Sequence, residues 1–470
     1  MPAMKPTLDM WQGGEIEYGV PFKAPGLTYV NDLLDALGEY RFSGDFSGPA
    51  FLFNRKGNPC QFLRNGGRAY GDIGTRPGIY DIFEITTPEC RNALELVAYD
   101  KASEIYAYLA SRRLEEKIGK RVHIYKTSIT MAEPESRKYA TRGTHENYLT
   151  ERSLFAEKTD LLIPFLTCRQ LFCGAGGYYR GQFVLSPRQM FVRGLYSKEI
   201  FEVWPMISTR DEPLAGTKYY RCQVVNGEGT RSQLTTFLRH SITSYVILGI
   251  ERGFIQNVPK LRDPVAETRR ISKNVAGDWK VTLENGERMD AIEYLESYYI
   301  APIEALLEEG ETKDHDRLAF NELKDISTKL EEGRFEELDK RVEWAIKLGL
   351  IEERVDDFFE FESGISDEEK REAANFQYMA VTESLFDELE EELGIRRVVS
   401  DESISEAVFQ PPRGSRAELR VTLASRFRDR LDDISWEGVT IAGKQFLYSV
   451  LDGWDWKKIE KEVKIVRDSI

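Results

Sequence analysis

The sequence has few of the residues that build disulfide frameworks or structural zinc sites. It contains five cysteines, at positions 60, 90, 168, 173 and 222, and four histidines, at 123, 145, 240 and 315. An odd number of cysteines without a Cys-x-x-Cys pair is atypical of a secreted disulfide scaffold. The histidines do not approach the cysteines with zinc-ligand spacing, so no structural zinc site is expected. These features favour a cytoplasmic protein with reduced thiols.

The chain also lacks long apolar runs and the common nucleotide-binding loops. No stretch approaches about 18 consecutive apolar residues, and the first six residues contain no apolar signal-peptide core. We therefore expect no membrane-spanning helix and no membrane partner. No Gly-x-Gly-x-x-Gly follows a first strand and no Walker A sequence occurs, which disfavours a Rossmann fold.

The net charge of −15 over 470 residues is unevenly distributed. Residues 301–410 hold 33 Asp and Glu against 13 Lys and Arg, a local balance of −20, and the other residues balance at +5. An acidic protein of this kind is not expected to bind nucleic acid. The near-neutral part of the chain can still contain one phosphate-binding cleft.

Apolar periodicity and turn residues predict a mixed α and β protein whose strands come in clusters. Helical spacing is found at 29–37, 90–118, 162–171, 232–249 and, with dense charge, 291–395. Strand patterns are found at 15–19, 68–72, 219–225 and, as a hairpin, 279–290. Because strands and helices do not alternate strictly, we expect an α+β fold with a largely antiparallel sheet.

Two predicted strands carry ionisable side chains two residues apart. Glu15 and Glu17 share one strand face, and Arg68, Tyr70 and Asp72 share another. Paired carboxylates need a cation, an arginine or water, and Mg²⁺ prefers oxygen ligands of this type. A solvated, outward face is the ordinary alternative for any single strand of this kind.

Further polar clusters and Gly-rich turns follow along the chain. They are Glu84 to Glu89 with Thr86 and Thr87, His145 with Asn147, Thr209-Arg-Asp-Glu-Pro213 and Asn226-Gly-Glu-Gly-Thr-Arg231. The last of these precedes a predicted helix and could either cradle a phosphate or serve as a plain connection. Acidic side chains, guanidinium groups and Gly-rich turns on a sheet suit phosphoryl transfer from ATP with Mg²⁺.

Seven segments resemble, in the same order, the motifs of the Pup ligase and depupylase family. They are Gly14-Glu-Ile-Glu-Tyr-Gly19, Asn65-Gly-Gly-Arg-Ala-Tyr-Gly-Asp-Ile-Gly74, Glu84-Ile-Thr-Thr-Pro-Glu-Cys90, His145-Glu-Asn-Tyr-Leu149, Pro164-Phe-Leu-Thr-Cys-Arg-Gln170, Cys173-Gly-Ala-Gly176 and Thr209-Arg-Asp-Glu-Pro213. The match is dense over residues 15–250 and patchy from there to 440.

The resemblance implies a glutamine synthetase-like α+β fold, in which a curved, mainly antiparallel sheet forms an open cradle with helices on its convex side. This catalytic domain would comprise residues 1–405, with the acidic helical segment 301–405 inside it. A small C-terminal domain, residues 406–470, would close on the nucleotide site.

The resemblance also implies site roles, position by position. The metal-binding positions are Glu15, Tyr70 and Glu84, the nucleotide contacts are Arg68, Thr87 and Trp436, the proton acceptor is Asp72, and the contact to the substrate carboxylate or γ-phosphoryl group is Arg210. Mg²⁺ and ATP are the implied cofactor and substrate. The implied partners are a Pup-like protein modifier and its lysine-bearing targets.

The activity implied by the resemblance is activation of a glutamate carboxylate as an acyl phosphate, followed by isopeptide ligation to lysine. Two other reactions remain open: transfer of phosphate from a nucleotide to water, and amide hydrolysis as in the depupylases. A non-catalytic scaffold with acidic helices that bind a basic partner is disfavoured, because Glu15, Tyr70 and Asp72 are intact.

The sequence departs from the Pup ligases in three places. About six extra residues lie within Thr75 to Phe83, which makes Glu89 the fallback metal ligand if Glu84 is displaced. Cys222-Gln223 and Asn226-Gly-Glu-Gly229 stand where the ligases have a histidine-bearing strand and an Asp-Ser-Asn turn. The acidic run Glu383 to Glu392 would repel an acidic modifier unless its side chains face solvent. In one respect the sequence is closer to the ligases than to the depupylases: Glu15 and Asp72 are 57 residues apart, a spacing that resembles the ligase branch.

Overall fold

The computed structural model describes residues 5–24, 27–38, 52–53, 59–73, 80–133, 138–210, 218–359, 366–428, 431–441 and 443–447. Four predicted features lie partly outside these ranges. They are the extra stretch between Asp72 and Glu84, without residues 74–79; the Thr-Arg-Asp-Glu-Pro motif, without Asp211 to Pro213; the acidic helical segment, without residues 360–365; and the C-terminal domain, without residues 429–430, 442 and 448–470.

The described strands are β1 (Gln12–Gly19), β2 (Phe22–Ala24), β3 (Leu27–Thr28), β4 (Leu52–Phe53), β5 (Pro59–Phe62), β6 (Arg68–Ile73), β7 (Tyr80–Thr86), β8 (Ile129–Glu133), β9 (Lys138–Thr141), β10 (Thr144–Glu151), β11 (Gly177–Tyr179), β12 (Gln182–Val184), β13 (Gly194–Ser197), β14 (Pro205–Ser208), β15 (Tyr219–Val224), β16 (Lys280–Thr282), β17 (Arg288–Asp290), β18 (Leu431–Ile434), β19 (Gly438–Ile441) and β20 (Lys444–Leu447). The predicted strands at 15–19, 68–72 and 219–225 correspond to β1, β6 and β15, and the predicted hairpin is β16–β17.

The described helices are α1 (Val30–Ala36), α2 (Ala93–Ile118), α3 (Arg152–Phe155), α4 (Ile163–Cys168), α5 (Gln170–Cys173), α6 (Ile200–Val203), α7 (Gln233–Arg252), α8 (Pro264–Lys273), α9 (Ala291–Leu295), α10 (Ala301–Glu309), α11 (Asp314–Glu331), α12 (Glu343–Phe359), α13 (Asp367–Tyr378), α14 (Leu385–Leu393), α15 (Asp401–Phe409) and α16 (Arg416–Arg426). Among these helices, none has both the length and the apolar character that crossing a bilayer requires.

Nine strands form one sheet in the order β13-β14-β15-β10-β1-β7-β6-β5-β4. Among the described strands of this sheet, only the β13–β14 pair is parallel. The predicted, largely antiparallel sheet is therefore confirmed. Strand β1 lies at its centre, between β10 and β7.

The two faces of the central strands have opposite character. Ile16 and Tyr18 on β1 are fully buried in an apolar cluster that also contains residues of α1 and α2. Burial of one such side chain stabilises the fold by about 1.5–3 kcal/mol, so this face is firmly held against the helices. Glu15 and Glu17 alternate with these residues and therefore lie on the other face of the sheet.

The two long helices behind the sheet have clear end signals. The Asn92 side chain accepts the Glu95 N–H at 3.0 Å at the start of α2, and Ser232 accepts the Thr235 N–H at 3.3 Å at the start of α7. Both helices end at a glycine in the left-handed region, Gly119 and Gly253. The predictions of helices over 90–118 and 232–249 are thus correct to within a few residues.

The C-terminal residues form a small α/β unit. One face of α16 and two positions of β19 share an apolar cluster of Leu419, Leu423, Val439 and Ile441. The three strands β18, β19 and β20 form an antiparallel sheet of their own. We refer to residues 416–447 as the C-terminal unit.

The acidic residues of α14 other than the half-buried Glu390 face solvent. Leu385, Phe386 and Leu389 are the buried side of this helix, whereas Glu388 and Glu391 are exposed. Asp387, which is also exposed, pairs with the buried Arg231 at 2.6 Å. This arrangement agrees with the interpretation of the acidic run as a solvated helix face.

Candidate active site

Cross-strand rows of polar side chains cover the face of the sheet opposite the helices. The first row contains His145 on β10, Glu15 on β1, Thr86 on β7 and Arg68 on β6. The second row contains Glu17 on β1, Glu84 on β7 and Tyr70 on β6. Asp72 follows one pair further along β6, opposite Ile82. The register thus brings together five predicted site residues that are up to 69 positions apart in the chain.

Three side chains at the centre of these rows can bind a metal ion. One ligand atom each of Glu15, Glu84 and His145 lies within 4.8 Å of the others. His145 Nδ1 is 3.2 Å from Glu15 Oε2, and the Tyr70 hydroxyl donates a hydrogen bond to Glu84. Two carboxylates form a donor set that suits a hard divalent cation, and imidazole is a ligand that several such ions also accept.

The electrostatics of this group also favour a cation. Burial raises the pKa of the Glu84 carboxyl well above its ordinary value, and the charges of Glu15, Asp72 and Glu17 raise it further. Burial would also raise the pKa of Glu15, but the hydrogen bond and charge of His145, with further help from Arg221 and Asn147, lower it to about 2. A bound divalent cation would relieve the electrostatic repulsion among these carboxylates.

Comparison with known families identifies the chain's relatives. The model of the family described as Pup-ligase protein matches residues 38–440, which is most of the chain. The chain belongs to the Pup-ligase protein family. The resemblance seen in the sequence motifs is therefore confirmed.

Two members of the Pup-ligase family illustrate the degree of similarity. The Pup–protein ligase of Arthrobacter sp. (strain FB24) is 28% identical over 431 residues, covering 89% of each chain. The Pup–protein ligase of Mycobacterium bovis (strain BCG / Pasteur 1173P2) is 29% identical over 415 residues, covering 86% of this chain and 88% of the relative.

Two solved Pup ligase structures share the fold. One is the complex of the prokaryotic ubiquitin-like protein Pup with its ligase PafA, with a TM-score of 0.79 and 23% identity over 97% of this chain and 92% of that chain. The other is PafA in complex with ADP, with a TM-score of 0.74 and 24% identity over 86% and 89% of the two chains. The predicted α+β, glutamine synthetase-like fold class is confirmed.

The predicted nucleotide contacts of this Pup-ligase family member lie in two places. Arg68 and Trp436 are both beside Phe62: the Arg68 guanidinium lies 5.8 Å from its ring centroid, and the Trp436 ring meets it edge-on at 5.3 Å. Arg68 Nε is a buried donor that has no hydrogen-bond partner among the described residues. Thr87 is instead tied to the backbone, because its hydroxyl accepts the Gly14 N–H at 2.9 Å.

The two candidates for the second metal ligand have different surroundings. Glu84 faces Glu15 and Tyr70, as described above. Glu89 Oε2 accepts a hydrogen bond from Arg420 Nη2 at 2.8 Å, and its Oε1 is 3.4 Å from Arg416 Nε. Burial alone would raise the pKa of Glu89, but these two guanidinium groups lower it. The geometry therefore favours Glu84 for the metal and gives Glu89 an ion-pair role.

The remaining predicted catalytic residue lies just beyond the end of β14, the strand next to the edge strand β13. Arg210 follows β14 and is half-buried, and its Nε donates to the Lys198 carbonyl oxygen at 2.9 Å. Within the described part of the chain, no hydrogen bond or ion pair joins Arg210 to Glu15 or Glu84. Its predicted contact to substrate stays a prediction.

Several residues around Glu15 were not given site roles in the sequence analysis. Asn147 Nδ2 donates to Glu15 Oε1 at 2.9 Å, Gln223 Nε2 donates to Oε2 at 3.2 Å, and Arg221 Nη1 lies 3.5 Å from Oε1. Strand periodicity does place Arg221 and Gln223 on one face of β15. Their position next to Glu15, however, depends on the pairing of β15 with β10 and of β10 with β1.

Glu17 supports the site from the side of β10. Its Oε2 accepts the Gly143 N–H at 2.6 Å, and its Oε1 lies 3.7 Å from His145 Nε2. His145 therefore lies between the carboxylates of Glu15 and Glu17. This placement holds the imidazole plane next to the possible metal site.

The turn at Asn226 to Gly229 is a packed connection. Glu228 is buried and accepts the N–H groups of Ala175 and Arg188 at 3.0 and 2.8 Å. At the start of α7, the N–H groups of Arg231 and Ser232 are bound by the carboxylate of Glu343. Since Glu343 already binds the N–H groups of Arg231 and Ser232, these two donors are not available to a phosphate.

Proposed function

We propose that this chain is an ATP-dependent Pup–protein ligase. It would activate a glutamate carboxylate of a Pup-like modifier as an acyl phosphate and join it to a lysine of a target protein. The observation that carries the proposal is the packed group of Glu15, Glu84 and His145 on the polar face of the sheet in a Pup-ligase family member. The names of the Arthrobacter and Mycobacterium relatives support the same reaction.

Glu15 and Glu84 are the proposed Mg²⁺ ligands, with His145 beside them. Burial, and then the charges of Glu84 and Glu15, raise the pKa of Tyr70, so its phenol keeps its proton and orients Glu84 as a hydrogen-bond donor. We therefore propose that Tyr70 acts on the metal site through Glu84. Bound Mg²⁺ supplies positive charge that offsets the charge of the nucleotide phosphates.

The nucleotide is proposed to bind beside Arg68, Thr87 and Trp436. Arg68 has a buried Nε without a partner among the described residues, which suits a phosphate oxygen. A Pup ligase of the same fold has been solved with ADP, which supports a nucleotide at this site. ATP is the proposed substrate because the acyl phosphate needs a γ-phosphoryl group.

The chemistry needs a proton acceptor near the carboxylate cluster. A protonated lysine amine cannot attack, and a free carboxylate is a poor electrophile. Transfer of the γ-phosphoryl group to the glutamate oxygen releases ADP and creates a leaving group. The lysine amine loses a proton to Asp72, attacks the acyl carbon and expels inorganic phosphate. Asp72 lies on β6 two residues beyond Tyr70, which fits this role, and Arg210 would contact the substrate carboxylate or the phosphoryl group.

We also propose that the chain divides into a catalytic domain and a C-terminal domain. Helix α15 spans residue 405, and its Ala407 and Val408 pack in the apolar cluster behind the sheet. The break after Gln410 is therefore a sharper boundary than residue 405.

The reaction is proposed to occur in the cytoplasm, where ATP is available and buried thiols such as Cys90 and Cys168 stay reduced.

The test combines the protein with ATP, Mg²⁺, a Pup-like peptide ending in glutamate and a lysine-bearing protein. Mass spectrometry follows the peptide–lysine adduct, and a phosphate assay follows turnover. We expect adduct and phosphate to form together and only with the peptide. Asp72→Asn should abolish adduct formation but keep ATP binding, whereas Asp278→Asn, at an exposed position, should leave both unchanged.

Two outcomes would contradict the proposal. Brisk phosphate release without the peptide, and no adduct with it, would identify a nucleotide phosphatase instead. Full activity of Asp72→Asn would remove Asp72 from the mechanism.

A further inference from the structure

Arg420 on α16 is a buried arginine that connects the C-terminal unit to the main sheet. Its side chain is fully buried. Arg420 Nη2 donates to the Gly66 carbonyl oxygen and to Glu89 Oε2, both at 2.8 Å, and Nε lies 3.3 Å from the same carbonyl. Gly66 belongs to the turn that leads directly into Arg68, so this contact ties the C-terminal unit to the start of β6.

The same guanidinium lies beside two aromatic rings. Its central carbon lies 4.6 Å from the ring centroid of Trp436 and 5.2 Å from that of Phe62. The Arg68 guanidinium lies 5.8 Å from the Phe62 ring and 5.1 Å from the Tyr70 ring. Phe62 and Trp436 also meet each other edge-on at 5.3 Å, so Arg420, Phe62 and Trp436 are in mutual contact, and Phe62 continues the contact to Arg68 and Tyr70. We call these five side chains the arginine–aromatic cluster.

The cluster joins the residues to which the proposed function assigns the nucleotide and the metal. Arg68 and Trp436 are proposed nucleotide contacts, and Tyr70 bonds to Glu84. Arg420 lies beside both Trp436 and Phe62 and is fixed by the Gly66 carbonyl and by Glu89. It therefore helps to hold Trp436 against Phe62, the ring on which Arg68 also packs.

Lysine cannot replace the guanidinium in this position. An ammonium group has no flat surface to pack against the two rings, and it cannot bind Gly66 and Glu89 with the same fork geometry. A buried ammonium would keep the positive charge, so the partner Glu89 would not be left without compensation. Arg420→Lys therefore removes the positioning and spares the charge.

We propose, on the basis of the proposed nucleotide site, that Arg420 is a positioning residue for ATP, which acts by holding Trp436 against Phe62, next to Arg68. It does not touch the reacting atoms. Its loss should therefore weaken ATP binding more than it slows the chemical steps at Glu15, Glu84 and Asp72.

The experiment measures KM for ATP, kcat at saturating ATP, and the dissociation constant of ATP for the full-length protein and its variants. We expect Arg420→Lys to raise KM and Kd for ATP about tenfold, equivalent to about 1.4 kcal/mol, and to change kcat less than about twofold. Glu89→Gln, which loosens Arg420 without changing either ring, should shift KM in the same direction by less. Arg426→Lys, at an exposed position near the end of the same helix, should match the unmodified protein.

The variants separate this inference from the proposed function. If folded Arg420→Lys and Glu89→Gln keep the ATP affinity of the unmodified protein, the inference is wrong. If Arg420→Lys does not fold, Glu89→Gln with unchanged KM overturns it equally. A fall in kcat without a change in KM would place Arg420 in the chemical step and also overturn the positioning role. An unmodified protein that does not bind ATP would refute the proposed function, and the inference with it.

Discussion

The buried ion pair between Glu146 and Arg169 lies directly behind the candidate active site. Glu146 is on β10, between His145 and Asn147, and its side chain points to the opposite face of the sheet. Arg169 binds it in a bidentate manner, with Nη2–Oε1 and Nη1–Oε2 distances of 2.6 and 2.8 Å. The Tyr148 hydroxyl adds a third hydrogen bond to Oε2 at 2.7 Å. Both charged side chains are buried, so removal of one leaves the other uncompensated.

The expected cost of Glu146→Gln follows from the pKa of this carboxyl. Burial alone would raise that pKa, but the charge and hydrogen bonds of Arg169, with further help from His240 and Arg239, lower it from 4.5 to about 2. A shift of this size corresponds to about 3 kcal/mol of stabilisation at neutral pH. The typical cost of breaking a buried ion pair is similar, about 3–5 kcal/mol. We therefore expect the free energy of unfolding to fall by about 3 kcal/mol.

Urea unfolding at pH 7 and at pH 3, followed by tryptophan fluorescence, tests this value. The folded-state pKa of Glu146 is depressed, so its stabilisation is fully present above pH 4.5 and is lost as the pH falls towards 2. The difference between Glu146→Gln and the unmodified protein should therefore shrink at pH 3. Glu284→Gln, at an exposed position in the β16–β17 turn, serves as the control. A loss below about 1 kcal/mol at pH 7, or a loss of equal size at both pH values, would refute the reasoning.

Three further predictions concern the site and the core. Arg68→Met should keep the packing on Phe62 but lower the affinity for ATP about tenfold by calorimetry, because a charged donor to phosphate is lost; unchanged affinity would contradict this. Glu84→Gln should raise the Mg²⁺ concentration for half-maximal activity about tenfold, since one of two carboxylates in the cluster is removed; an unaltered Mg²⁺ titration would exclude Glu84 as a ligand. Burial lowers the pKa of His240 in the folded chain from 6.5 to about 3. As the pH drops below about 6.5, the unfolded chain therefore binds a proton at this position before the folded chain does, and the free energy of unfolding falls. His240→Gln should therefore show a shallower loss of stability between pH 6.5 and 4, by up to about 1.4 kcal/mol per pH unit in urea unfolding; an identical slope would disprove it.

Local sequence patterns were enough to predict the secondary structure around the site. Period-two alternation placed Glu15 with Glu17 and Tyr70 with Asp72 on strand faces, because every second side chain of a strand points the same way. Asn92 and Gly119 mark the ends of α2 through their capping geometry, which involves only neighbouring residues. The family motifs are also local, and they were sufficient to identify the Pup-ligase family and its fold class.

The tertiary structure alone decided which side chains meet. The sequence predicts Glu84 as the metal ligand and leaves Glu89 as the fallback. The register of β7 with β1 and the docking of α16 beside Glu89 distinguish the two. Likewise, Arg420 joins Phe62 and Trp436 across more than 350 positions of sequence. Register and docking depend on hydrogen bonds and packing between distant segments, so no local periodicity encodes them, whereas strand faces and helix ends depend on neighbours and can be predicted from the sequence.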